Sequence, residues 1–125
     1  MRMLLFLAVA AGGFVGAPCR YLVDRTISRR IDSDLPWGTF TINMTGSLLL
    51  GLLTGLALGH HLPVLPRALL ATGFCGAYTT FSTFTYESVR LLEDGQLLEA
   101  AGTVAVSVAI GLGAAALGLA IGLAL

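Results

Sequence analysis

The chain has 125 residues, 56% of them hydrophobic and only 11% charged, and seven arginines balance seven Asp and Glu with no lysine. Soluble domains carry about a quarter charged residues, and one core of this size cannot hide so much apolar surface. That excludes a disordered chain and a soluble one-domain enzyme, and the lack of a basic stripe excludes nucleic acid as a partner; the composition is that of a membrane protein.

Charged positions leave four uncharged stretches, 3–19, 35–59, 68–86 and 100–125. About 20 apolar residues cross the ~30 Å hydrocarbon core as a helix. The pattern predicts one all-α membrane domain over 1–125, with spans at about 3–23, 36–59, 67–90 and 99–124. The first span begins in an apolar run without a small-residue cleavage site, so it reads as a span rather than a signal peptide. It runs past Arg20 because long cationic side chains snorkel. Cys19 and Cys75 read as small apolar packing residues, since a disulfide framework needs more cysteines. An even number of spans puts Arg2 and Arg67 on one side and Arg25, Arg29, Arg30 and Arg90 on the other. Positive charge therefore leans towards a cytoplasmic first loop.

In the second span Thr39, Asn43 and Ser47 recur every fourth residue, on one helix face. Asn43 at mid-membrane needs a partner or water. Two readings stand even: glue between helices, or a pair of amide donors for a partly dehydrated anion. Ser47, Gly51, Gly55 and Gly59 also recur every fourth residue, as do Gly12 and Gly16, and Gly118 and Gly122. Such ridges let helices approach closely, and some are expected to face a second subunit. His60 and His61, with no Cys or carboxylate nearby, read as a solvated loop pair rather than a metal site.

The third span, GFCGAYTTFSTFTYE at 73–87, is not an ordinary membrane helix. From Tyr78 to Tyr86 nearly every residue is Thr, Ser or aromatic, and hydroxyl and β-branched residues are indifferent helix formers. A break is expected around 76–80. Irregular backbone at that depth is tolerated only where protein buries it or water reaches it, and its freed polar groups can coordinate ions. Phe81 and Phe84 share a face, and their ring edges carry partial positive charge. The fourth span repeats the polar device with Thr103 and Ser107, followed by Gly111. Asp24 and Glu87 both sit at span ends. Together these residues outline a narrow path of neutral donors suited to a small anion.

The blocks GGFVGAPCRY at 12–21, GTFTINMTGS at 38–47 and, most specifically, GFCGAYTTFSTFTYE carry a resemblance to the small bacterial fluoride channels, called Fluc or CrcB, along nearly the whole chain. The resemblance implies an antiparallel, dual-topology homodimer of four-helix subunits with a broken third helix and two fluoride pathways. It implies multi-pass insertion in the bacterial inner membrane and passive export of fluoride that entered as neutral HF. Carried over by position, Phe81 and Phe84 look like the pore phenylalanines and Asn43 like the pore asparagine. Thr39, Ser82, Thr103 and Ser107 fall on the polar pathway, with Arg20 and Glu87 at the vestibule. Gly76 and Thr79 look like the residues whose backbone carbonyls hold a structural Na+. Many relatives have a tyrosine where this chain has Thr103, and Ala77 replaces the second glycine of a pair.

Two rivals come from other classes. A small multidrug exporter relies on a deep glutamate in its first span, and 3–19 contains no acidic residue. A non-transporting assembly subunit accounts for the glycine ridges but not for the hydroxyl-rich third span. No phosphate-binding loop is present, and an enzyme is the least favoured reading.

Overall fold

The computed structural model describes residues 1–59 and 62–125, so His60 and His61 lie outside the described residues. Helix α1 covers Arg2–Arg30 and α2 covers Trp37–Gly59. A short turn, α3 (Val64–Arg67), leads into a π-helical stretch, Ala68–Cys75, and the last turn α4, Gly76–Tyr78. After three non-helical residues the chain resumes as α5 (Ser82–Glu93) and closes with α6 (Leu97–Ala124). Among the described residues three helices, α1, α2 and α6, are long and apolar enough to cross a membrane. The chain is therefore a multi-pass membrane protein. Helix α1 outruns its predicted end by seven residues (23 to 30).

The helices pack as two close pairs, α2 with α6 and α1 with the π-helical stretch. Glycine makes both possible. A Cβ on Gly51 would overlap the Ala115 carbonyl and one on Gly118 the Leu48 carbonyl; Gly55 and Gly122 meet backbone in the same way. In the other pair, a Cβ on Gly73 would stand 2.5 Å from the Val9 carbonyl oxygen and 3.0 Å from the Gly12 Cα. Gly12 and Gly16 in turn face the backbone of Leu69 and Phe74. The expectation that some glycine ridges face a second subunit is corrected at these positions, because backbone of the same chain occupies the space each missing Cβ would fill.

With helices this close, little interior remains for large side chains. Ile42 and Cys75 are the largest fully buried ones, while Phe6, Phe14, Leu98 and many other apolar residues are exposed. An apolar exterior of this extent requires lipid or protein to cover it. Cys19 and Cys75 are both free thiols, the first half-buried and the second buried. At one end, the Gln96 amide donates to Asp34 at 3.3 Å, which joins the loop after α1 to the start of α6. Arg90 lines a cavity there with Asp24 and the 31–39 segment, so it lies on the same side as Arg25, Arg29 and Arg30.

Candidate functional site

The helix carrying Tyr78 ends because Thr79 turns extended, with φ −76° and ψ 159°. The Thr79 N–H and hydroxyl both donate to the Cys75 carbonyl, at 2.9 and 2.8 Å, closing the last turn. In an unbroken helix the next N–H, that of Thr80, would aim at the Gly76 carbonyl. It turns to α2 instead and donates to Asn43 Oδ1 at 2.9 Å, while Asn43 Nδ2 donates back to the Thr80 carbonyl, also at 2.9 Å. The two contacts pair a side-chain amide with the backbone N–H and C=O of one residue and fix which way the amide points. The second Nδ2 hydrogen is not used by that pairing.

The break thus falls at 79–81, meeting the expected 76–80 at Thr79 and Thr80 but starting three residues later. Gly76 is corrected as a break residue: it is helical, with φ −62° and ψ −36°. The physical reason is that the backbone leaves the helix only where another partner is offered, and that partner is Asn43. Gly76 still matters, because diverting the Thr80 N–H frees its carbonyl. Gly76 is itself exposed, and a Cβ on it would meet nothing within 4 Å, so the residue sits on an open face.

Other side chains lock the break in place. Tyr78, buried and stacked on Phe74 with centroids 5.5 Å apart, shares a 2.8 Å hydroxyl contact with Thr45. A Cβ on Gly46 would overlap the Thr79 methyl, so α2 needs glycine there. Arg20, half-buried on α1, donates to the Thr79 carbonyl at 3.4 Å. Among the described residues every buried side-chain nitrogen or oxygen has a hydrogen-bond partner.

Phe81, the last residue of the break, and Phe84 on α5 stand with ring centroids 6.1 Å apart and planes at 41°. Phe84 is half-buried, whereas Phe81 is 79% exposed on the single chain. Ser82 is exposed, its hydroxyl 3.4 Å from that of Thr80. On the same side as the first loop lies a polar cavity of about 490 Å3 that includes Asp24, Thr39, Thr83, Glu87 and Arg90. Thr39 is buried, and its hydroxyl donates to Glu87 Oε1 at 2.8 Å. That hydrogen bond gives Glu87 a place: it anchors α5 to α2 at the cavity wall.

Thr103 and Ser107 are set apart from this group. They line a mostly apolar groove of about 240 Å3 between the starts of α2 and α6, beside Trp37 and Phe40. The structure therefore brings together Asn43, Thr79, Ser82, Phe81, Phe84 and Arg20 around the break, and Thr39 with Glu87 in the adjoining cavity. The role of Thr80 went unread because nothing in a run of hydroxyl residues distinguishes one whose backbone meets Asn43. Asp24, one of five carboxylates lining the cavity with Asp32, Asp34, Glu87 and Asp94, was likewise read only as a span end.

The family described as CrcB-like protein, Camphor Resistance (CrcB), matches residues 7–119. The chain is 53% identical over 114 residues to the fluoride-specific ion channel FluC 1 of Streptomyces avermitilis, covering 91% of this chain and 92% of that one. It is 51% identical over 121 residues to FluC 1 of Frankia casuarinae, covering 93% and 94%. It is 47% identical over 119 residues to FluC 2 of Mycobacterium tuberculosis, covering 94% and 90%. With an all-helical apolar fold, a helix broken at 79–81 and matches of this extent, the chain belongs to the CrcB family.

Proposed function

We propose that the chain is a fluoride-selective channel that lets fluoride leave the cytoplasm passively, working as an antiparallel homodimer of four-span subunits in a bacterial inner membrane. The observation that carries this reading is the Asn43–Thr80 pairing, which holds a break open inside an apolar segment and sets uncharged donors and two aromatic rings beside it. The printed names of the relatives, fluoride-specific ion channels at 47–53% identity, support the choice of ion. The channel is not an enzyme and spends no nucleotide.

A bare charge at the bilayer centre costs from a few to well over 10 kcal/mol. Fluoride holds its water tightly, so it crosses only if the lining replaces that water stepwise. The cavity takes the hydrated ion in, the remaining Asn43 amide hydrogen and the Ser82 and Thr83 hydroxyls donate to it, and the edges of Phe81 and Phe84 offer partial positive charge. None of these donors or ring edges carries a full charge, so the ion is held firmly enough to enter and weakly enough to leave. Arg20, the nearby fixed cation, is engaged with the Thr79 carbonyl. Thr103 and Ser107 add two hydroxyls to the path in their own, mostly apolar groove, beside the rings of Trp37 and Phe40.

The exposure of Phe81 and the open face at Gly76 favour a second, inverted copy completing the path. The same face suits a structural Na+. The Gly76 carbonyl is released by the break, and the Thr79 carbonyl keeps a lone pair beside its long contact with Arg20. Unwound backbone carbonyls are fitting ligands for a hard monovalent cation, and two copies double the pair. When bound, the ion ties the two breaks together electrostatically.

Growth tests the proposal. In a bacterial strain stripped of its own fluoride exporter, the chain restores growth in fluoride medium. Continued sensitivity at equal membrane expression contradicts it.

A further inference from the structure

We propose that Thr80 is a positioning residue for the passing anion: its buried hydroxyl fixes the proton of Thr83 so that Thr83 aims a donor into the polar cavity. This rests on the fluoride-channel reading above and names a residue through which that site acts.

The polarity of the hydroxyls follows from one backbone group. The Thr83 N–H, in the first turn of α5 and without an intrahelical acceptor, donates to Thr80 Oγ1 at 3.2 Å. The Thr80 proton then goes to Thr83 Oγ1 at 3.0 Å, nearer than Ser82 Oγ at 3.4 Å. Thr83 Oγ1 has then accepted a hydrogen bond and must turn its own proton elsewhere. Thr41, Thr54 and Thr85 each return their hydroxyl proton to the carbonyl four residues earlier. For Thr83 that carbonyl belongs to Thr79, inside the break, and no acceptor among the described residues takes its proton. Thr83 lines the 490 Å3 cavity. Thr80 is only 7% exposed and its backbone N–H and C=O are both held by Asn43, so the chain of hydroxyls starts from a rigid point.

The test is fluoride efflux from liposomes carrying the full-length protein. Thr80→Val keeps the shape and the Asn43 pairing but removes the hydroxyl; it lowers efflux by about tenfold or more, the scale of one hydrogen bond to an ion. Thr80→Ser restores the wild-type rate. Thr83→Val falls to a similar extent, and the Thr80→Val, Thr83→Val double variant falls no further than Thr83→Val alone, the signature of two residues acting as one. Should Thr80→Val fail to assemble, Thr80→Ala against Thr80→Ser makes the same comparison. Wild-type efflux in Thr80→Val, equal losses in Thr80→Val and Thr80→Ser, or additive losses in the double variant each overturn the inference. Wild-type liposomes that release no fluoride overturn the channel reading itself and this inference with it, a failure visible before any variant is made.

Discussion

Phe81→Ile and Phe84→Ile each lower fluoride efflux from liposomes by roughly a hundredfold, the scale on which losing one donor to a desolvated anion acts. Isoleucine keeps an apolar side chain at each position, so lipid contact and packing change little. What disappears is the ring edge, the only part of either side chain with partial positive charge. Phe81 is the sharper case, because it is 79% exposed on the single chain and packs little against its own subunit. Its substitution therefore costs little stability, and the loss reads directly on the ion. An unchanged rate in both variants would remove the phenylalanines from the pathway.

Asn43→Asp has a comparable effect through a different cause. The carboxylate is nearly isosteric with the amide and still accepts from the Thr80 N–H, but it no longer donates to the Thr80 carbonyl. It also places a negative charge where an anion must pass, at a depth where a charge costs upwards of about 2.5 kcal/mol even on the mildest scale. Efflux falls to background in the same assay, and the purified protein unfolds at a lower temperature in detergent. An Asn43→Asp variant that conducts as the wild type would mean that the amide serves as glue between helices and lies off the path.

Much of the fold was legible because lipid imposes a simple rule. Uncharged stretches near 20 residues became α1, α2 and α6, and the hydroxyl-rich stretch at 78–86 became a break followed by α5. The break came later than Gly76 because glycine tolerates a helix, whereas Thr80 had a competing partner 37 residues away in Asn43. Long-range partners of that kind leave no local signal. The same holds for Thr39 and Glu87, separated by 48 residues. Of the two even readings of Asn43, glue or donor, the structure shows the contact between segments, with the amide clamping Thr80 and one of its hydrogens outside that pairing. The glycine ridges were legible as close-packing surfaces but not as to partner, because a four-residue period says nothing about which helix fills the groove. In this chain α2 and α6 fill each other.

The most direct measurement is ion release from liposomes holding the purified protein, followed with fluoride- and chloride-selective electrodes. The proposed pathway of neutral hydroxyls, one clamped amide and two ring edges predicts rapid fluoride release and vesicles that stay closed to chloride. Vesicles that retain fluoride while exchanging organic cations for protons would contradict it.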